Sequence, residues 1–253
     1  MIIQSDIERF QEQGYLILPT VLDDEDVAAL SDGIERLIAR PGPEVAREPD
    51  GAAHVIYGVH LWEASYAALA RHPAAIDVAR ALLDAPYFVH QSRLNVKQTG
   101  GSIVVWHQDF ATYHRVDGIP EARGLVIGVH LDDVDACNAP VIVIPRSHHG
   151  GIVSEAVIDE TVPDHQTVAR YRYDIPDSTM ARLVAANGAK AITGPAGTVF
   201  FMHANLVHGS SVNILPSRRA IAYINVSPCD NRGETYARPE YYAARDFSAI
   251  EAG

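Results

Sequence analysis

Cysteine is scarce in this 253-residue chain, which contains only Cys137 and Cys229. Two cysteines are too few for a disulfide framework or a cysteine-based zinc site, so we expect free thiols in a reducing cytoplasm. Basic side chains are also scarce: 20 Lys and Arg against 32 Asp and Glu give a formal net charge of -12. Nucleic acids and anionic membrane surfaces favour clustered Lys and Arg, so we expect neither as a partner.

Long apolar runs are absent as well. No run approaches the roughly 20 residues that a membrane-spanning helix needs. The N-terminal stretch MIIQSDIERF contains acidic side chains and lacks the apolar segment of a signal peptide. Hydrophobic residues still make up 47% of the chain, which is enough for a sizeable core. We therefore predict a soluble, cytoplasmic protein that forms one domain over residues 1–253, as a monomer or a homodimer.

Helical patterns dominate residues 1–85. Ser5 is expected to cap a short helix that ends at Gly14, and a short strand should follow. An amphipathic helix is predicted within 22–42, because acidic residues crowd its first turn and apolar residues recur at helical spacing. Apolar residues at the same spacing predict further helix over 63–84.

Short β-strand patterns replace the helical ones in the rest of the chain. Runs such as GSIVVWHQDF and APVIVIPRSH are rich in valine and isoleucine and are separated by Gly, Pro, Asn and Asp. This pattern is typical of an antiparallel sandwich or barrel. A polar insertion over 151–190, with a helix near 177–187, interrupts it. We predict a mainly β protein in which the N-terminal helices pack on a jelly-roll core formed by 86–253.

The stretch VVWHQDFATYHRVDG contains a histidine and an aspartate two residues apart. If 103–110 is a strand, the side chains of His107 and Asp109 point to the same side. Two histidines and one carboxylate suit non-haem Fe(II), because three coordination positions stay open for a cosubstrate and oxygen. The H-x-D pattern alone is also typical of two ordinary polar residues on a strand, so further ligands must decide.

Candidate partners occur in the later stretch GTVFFMHANLVHGSSVNILPSRR, where a predicted strand carries His203 and His208 and two arginines follow. Either histidine is a candidate third ligand. Iron chemistry with 2-oxoglutarate needs a cation for the distal carboxylate of that cosubstrate, and the planar guanidinium of arginine suits a carboxylate. Arg219 lies eleven residues after His208, with the hydroxyl of Ser210 between them.

Three motifs, taken in order, resemble the phytanoyl-CoA dioxygenase superfamily of Fe(II)/2-oxoglutarate oxygenases. They are H-x-D at 107–109, N-x-P-x-x-x-x-P-x-S-H at 138–148, and H-G-S at 208–210 with an arginine at 219. The stretch WHQDFATYH is similar to the WHSDFETWH of the ectoine hydroxylases in this family, and the likeness covers most of 86–226. The resemblance implies a double-stranded β-helix (jelly-roll) core. It also implies C–H hydroxylation coupled to oxidative decarboxylation of 2-oxoglutarate to succinate, with Fe(II) and O2.

The resemblance also assigns roles to individual residues. Carried over by position, the iron ligands are His107, Asp109 and His208. The residues expected to hold 2-oxoglutarate are Asn95, Lys97, Ser210 and Arg219. Asp109 stands where related halogenases have a small residue, so hydroxylation is favoured over halogenation. His203 is the rival third ligand, but no Gly-Ser pair follows it. Three further histidines are expected to pack or form hydrogen bonds: His114, His130 and His148.

The substrate residues expected from the resemblance are Gln91, Arg93, Thr112 and Tyr113. The first three match the ectoine hydroxylases, whereas Tyr113 replaces a tryptophan. These side chains suit a compact zwitterionic substrate, which we predict to be a free amino acid or an amino-acid derivative. A salt bridge within the protein is an equal alternative role for Arg93. Ectoine itself is the alternative substrate, and a non-catalytic jelly-roll metal- or ligand-binding protein and a zinc hydrolase are the alternative functions.

Overall fold

The computed structural model of the chain describes residues 2–19, 21–158 and 171–251. Its helices are α1 Gln4–Gln13, α2 Asp24–Ile38, α3 Val59–Trp62, α4 Ala64–Leu69, α5 Pro73–Leu83, α6 Asp109–Asp117 and α7 Asp177–Asn187. Its strands are β1 Tyr15–Leu18, β2 Val45–Arg47, β3 Ala53–Tyr57, β4 Tyr87–Lys97, β5 Val104–His107, β6 Leu125–His130, β7 Val141–Val143, β8 Glu155–Ile158, β9 Tyr171–Asp174, β10 Lys190–Ile192, β11 Val199–His203, β12 His208–Ser210 and β13 Arg219–Pro228.

The strands form two main antiparallel sheets. The larger has the order β1-β11-β6-β13-β4-β3-β2, the smaller has the order β10-β7-β12-β5, and β8 and β9 form a separate hairpin. Apolar side chains of both sheets meet in one buried cluster, in which Phe200 and Ile221 of the larger sheet lie with Val141 and Val143 of the smaller. The sheets therefore face each other. The prediction of a mainly β protein with N-terminal helices is confirmed.

The N-terminal helices cover the outer face of the larger sheet. Ile34 and Leu37 of α2 and Ile76 of α5 share a second buried cluster with Leu94 of β4. The helix predicted over 63–84 is interrupted, because Pro73 begins α5. A residue that precedes proline is restricted to extended backbone, and His72 has φ -64° and ψ 127°. No helix in the described part of the chain is long and apolar enough to cross a bilayer.

The N-terminal helix ends as predicted but begins differently. Gly14, at φ 82°, donates its N–H to the Phe10 carbonyl oxygen over 2.7 Å and closes α1. Ser5 is not the N-cap, because α1 begins at Gln4. The side chain of Asp6 instead accepts a hydrogen bond from the N–H of Ile3, over 3.2 Å.

The strand predicted over 103–110 is wrong in its second half. β5 ends at His107, and α6 begins at Asp109. Helical spacing decides this region, because Phe110 and Tyr113 lie three residues apart on one helix face and pack in the same buried cluster. Gly118, at φ 73°, ends the helix.

The strand predicted to carry both His203 and His208 is wrong as well. His203 ends β11 in the larger sheet, whereas His208 begins β12 in the smaller one. A turn separates them, in which the Leu206 N–H donates to the His203 carbonyl oxygen over 2.9 Å. The helix predicted near 177–187 is confirmed as α7, while 159–170 of the predicted insertion lies outside the described residues.

Candidate metal centre and active-site cavity

Three predicted ligands meet between the sheets. β12 pairs with β5 so that His208 lies opposite His107, and their ring centroids are 4.1 Å apart. Nε2 of His107 lies 3.5 Å from Oδ1 of Asp109 at the start of α6. One potential ligand atom from each of the three side chains lies within 4.8 Å of the others, and all three side chains are buried.

Backbone carbonyls determine which nitrogen of each imidazole carries the proton. Nδ1 of His107 donates to the Val105 carbonyl oxygen over 2.8 Å, and Nδ1 of His208 donates to that of Leu206 over 2.9 Å. The lone pair of each ring is therefore on Nε2, and Nε2 of His208 is buried with no hydrogen-bond partner among the described residues. Burial, reinforced by His107, lowers the pKa of His208 to about 3, so this ring stays neutral. Two imidazoles with a carboxylate fit a divalent metal.

Asp109 is held by two side chains of the larger sheet. Its Oδ2 accepts hydrogen bonds from Nη2 of Arg93 and from Nδ2 of Asn225, each over 3.3 Å. Burial alone would raise the pKa of Asp109, but Arg93 and the neighbouring imidazoles hold it well below its usual range. The carboxylate is therefore ionised, with Oδ1 on the side of His107.

A second polar group lies where β13 pairs with β4 and places Arg219 opposite Lys97. Arg219 is only 1% exposed; its Nη2 donates to the Ala139 carbonyl oxygen over 2.6 Å, while Nε and Nη1 have no partner among the described residues. Nζ of Lys97 donates to Oγ of Ser210 over 2.8 Å, and burial, with Arg219 second, lowers the Lys97 pKa to about 7. Oδ1 of Asn95 is also buried, and no described residue donates a hydrogen bond to it. Buried donors of this kind are normally satisfied, so Arg219 fits an anionic ligand.

One cavity of about 160 Å³ joins both groups and has the triad, Asn95, Ser210 and Arg219 in its wall. Lys97 lies behind this wall and reaches it through Ser210. The four predicted substrate residues also line the cavity. The wall further contains residues that the sequence analysis missed: His54, Tyr57, Tyr223, Arg238 and Tyr242.

Alternation along β13 is the signal that could have found part of this wall. Positions two apart on a strand share a face, so Arg219 predicts Tyr223 of the wall and also Asn225, which binds Asp109. Arg238 and Tyr242 lie beyond the last strand, and no local pattern connects them with the triad. Arg238 forms a two-point ion pair with buried Asp117, with Nε 2.9 Å from Oδ1.

The predicted substrate residues are hydrogen-bonded to one another. Oε1 of Gln91 accepts from Nη1 of Arg93 over 2.8 Å and from the Tyr113 hydroxyl over 3.4 Å. The Tyr113 hydroxyl also accepts a short hydrogen bond from Nδ2 of Asn225. The guanidinium of Arg93 lies over the ring of Tyr223, 4.7 Å from its centroid. Arg93 therefore has partners within the protein, the alternative that its sequence context left open, and the Tyr113 hydroxyl is likewise hydrogen-bonded within the protein.

The remaining histidines lie outside the triad. His203 packs against His148, with ring centroids 4.9 Å apart, and its Nδ1 accepts the N–H of Asn205 over 3.1 Å. His114 is within hydrogen-bond distance of a backbone carbonyl oxygen, 2.8 Å from that of Ile119. Backbone carbonyl oxygens also lie near His130 and His148, at 3.4 and 3.1 Å. The prediction that these three form hydrogen bonds is confirmed, and His203 is not part of the triad.

Facing antiparallel sheets with two histidines and a carboxylate between them define a class of jelly-roll metal proteins. The family model described as phytanoyl-CoA dioxygenase (PhyH) matches residues 10–221, and the chain belongs to this family.

Similar proteins agree with this assignment. The chain is 35% identical to L-proline trans-4-hydroxylase from Streptomyces griseoviridis, over 96% of this chain and 92% of that protein. It is 34% identical to an ectoine dioxygenase from Bordetella parapertussis, over 96% and 83%. A crystal structure of EctD from S. alaskensis with 2-oxoglutarate and 5-hydroxyectoine superposes with a TM-score of 0.86 at 30% identity, covering 100% of this chain and 87% of that one. The predicted fold class, a jelly-roll core with N-terminal helices, is confirmed.

Proposed function

We propose that the protein is an Fe(II)- and 2-oxoglutarate-dependent dioxygenase that hydroxylates an unactivated C–H bond of a small zwitterionic molecule, a free amino acid or an amino-acid derivative. One observation carries this proposal: a single cavity contains the triad and a buried arginine, two of whose N–H groups have no partner in the part of the chain that the structure describes. The triad suits iron, and the arginine suits the distal carboxylate of 2-oxoglutarate.

The proposed metal ligands are His107, Asp109 and His208. When bound, Fe(II) supplies the position at which O2 reacts with 2-oxoglutarate, with release of succinate and CO2. Backbone carbonyls accept the Nδ1–H of both imidazoles and orient the rings, so Nε2 of each ring is the nitrogen that would hold the metal. Arg93 and Asn225 occupy Oδ2 of Asp109, which favours coordination through Oδ1 alone.

The proposed cosubstrate site consists of Arg219, Ser210, Lys97 and Asn95. Nε and Nη1 of Arg219 have no partner among the described residues, so both N–H groups are available to a carboxylate. Lys97 donates to Ser210 and places its amino group directly behind that hydroxyl.

The proposed substrate end is lined by Gln91, Arg93, Thr112 and Tyr113. A cavity of about 160 Å³ supports a compact substrate. The names of the relatives also support a compact zwitterionic substrate, because L-proline and ectoine are both small cyclic zwitterions. Ectoine itself is the alternative substrate. The two cysteines are unpaired, which supports the proposed cytoplasmic location.

The test is to incubate the protein with Fe(II), 2-oxoglutarate and air in the presence of L-proline, other amino acids or ectoine. We expect succinate together with a product that has gained one oxygen atom. A non-catalytic metal-binding protein would bind iron without forming succinate, and a zinc hydrolase would not need 2-oxoglutarate. Either result would refute the proposal.

A further inference from the structure

Gln108 lies between two proposed metal ligands but faces away from them. Its backbone is extended, with φ -126° and ψ 122°, so its side chain points opposite to that of His107. The side chain is completely buried. A buried amide needs partners for both of its ends, and the surroundings of Gln108 provide them.

Hydrogen bonds use both ends of the Gln108 amide. Nε2 donates to the carbonyl oxygen of Asn205 over 2.7 Å, to Oδ1 of the same residue over 3.0 Å and to the carbonyl oxygen of Gly151 over 3.0 Å. Oε1 accepts the N–H groups of Val153 and Ser154 over 2.7 and 3.0 Å. One side chain thus joins the segment with His107 to two other segments.

Asn205 completes this connection from the other side. It lies three residues before His208, in the turn that leads into β12, and is only 2% exposed. Its Nδ2 donates to the carbonyl oxygens of His148 and Gly151 over 3.1 and 2.9 Å. The two amides therefore bind each other and the same loop.

The backbone joins the two ligand segments through a short ladder and through a hydrogen bond from the Phe110 N–H to the Ala204 carbonyl oxygen, over 2.9 Å. The pairing of β12 with β5 places His208 opposite His107 and Ser210 opposite Val104, and the register shifts between these two pairs. β12 is three residues long and β5 is four. The Gln108–Asn205 amide pair extends the connection beyond the end of this short, irregular ladder.

We propose that Gln108 and Asn205 are positioning residues, which set the distance between the His107–Asp109 segment and His208 without touching metal or substrate. This inference rests on the proposed function, because it assumes that the triad binds a metal. A facial site tolerates only small displacements of its ligands, so loss of the amide pair should weaken metal binding.

The test compares the variants Gln108→Leu and Asn205→Leu with the natural protein. Anaerobic calorimetric titration of the apo-protein with Fe(II) measures affinity at a temperature at which every variant is folded, and thermal unfolding of the apo-protein measures stability. We expect each variant to bind Fe(II) about 10- to 100-fold more weakly.

Asn231→Leu is the matched control. This residue is also 2% exposed, and its amide donates to the carbonyl oxygens of Glu121 and Arg123 and accepts the N–H of Glu121, away from the triad. We expect its melting temperature to fall while its Fe(II) affinity stays unchanged.

Unchanged Fe(II) affinity in both leucine variants, with a fall in melting temperature like that of the control, would overturn the inference. If the leucine variants are insoluble, Gln108→Glu takes their place: it keeps the length and the acceptor oxygen but loses the donor to Asn205, and weaker affinity is again expected. Failure of the natural protein to bind Fe(II) would instead overturn the proposed function itself.

Discussion

Arg219→Met separates cosubstrate binding from folding. Methionine keeps much of the length of arginine but removes the charge and all five N–H donors. Breaking a buried carboxylate–guanidinium pair costs about 2–5 kcal/mol. This range corresponds to a rise of about 30-fold to several thousand-fold in the 2-oxoglutarate concentration needed for half-maximal turnover. Fe(II) affinity should stay close to that of the natural protein, because Arg219 makes no hydrogen bond to the triad.

The same substitution should cost the apo-protein little stability. Among the described residues Arg219 hydrogen-bonds only to Ala139, and burial lowers its pKa, so its surroundings disfavour the charge. Arg218→Met is the matched control. Arg218 forms a partly exposed ion pair with Asp132, with Nε and Nη2 each 3.1 Å from a carboxylate oxygen. Loss of such a pair costs on the order of 1 kcal/mol or less and should not affect the cosubstrate.

The assay is succinate formation at increasing 2-oxoglutarate, supported by calorimetric titration of 2-oxoglutarate into each variant. Two results would refute the reasoning. In the first, cosubstrate affinity is unchanged in Arg219→Met and lost in Arg218→Met, which would identify the other arginine as the carboxylate partner. In the second, Arg219→Met loses iron and cosubstrate together, which would mean that the arginine supports the whole site.

Three further predictions follow from the same geometry. Alanine at any one proposed ligand should abolish succinate formation, in the variants His107→Ala, Asp109→Ala and His208→Ala. His203→Ala should stay active. An active His208→Ala variant and an inactive His203→Ala variant would instead identify His203 as the third ligand. Tyr113→Trp enlarges the ring and removes the contact with Asn225, so the ratio of ectoine to L-proline hydroxylation should rise; an unchanged ratio would show that this ring does not determine selectivity. Burial lowers the pKa of His130 and of His203 from 6.5 to about 4. Between pH 4 and pH 6.5 the unfolded chain therefore binds more protons than the folded protein. The free energy of unfolding should therefore have its full value above pH 6.5 and decrease at lower pH, by about 2 kcal/mol per histidine at pH 5. Urea unfolding at pH 7 and pH 5 measures this difference, and equal midpoints at the two pH values would contradict the prediction.

The order of residues along the chain determined the secondary-structure types and the kinds of metal- and carboxylate-binding side chains in this protein. Alternating apolar residues separated by turn formers predict the antiparallel sandwich, and helical spacing predicts the N-terminal helices. The H-x-D pair and the later histidines and arginines are residue types that bind iron and carboxylates, and these types can be recognised in the sequence without knowledge of the fold. These features depend on neighbours within a few residues, and that information is written directly in the chain.

Contacts between distant segments decided the rest. His203 and His208 both lie at strand ends, and only the pairing of β12 with β5 brings His208 next to His107. The choice between Arg218 and Arg219 depends on which side chain enters the space between the sheets. Alternation along a strand shows that neighbouring side chains point to opposite faces, but it does not show which face is the inner one.

The cavity wall and the hydrogen bonds around the triad have the same origin. Arg93 lies beside Asp109, and Gln108 beside Asn205, because burial of both sheet faces brings these segments together. Tyr242 reaches the cavity from a segment beyond the last strand. No local pattern encodes such pairs, because each depends on how the whole chain excludes water from its core.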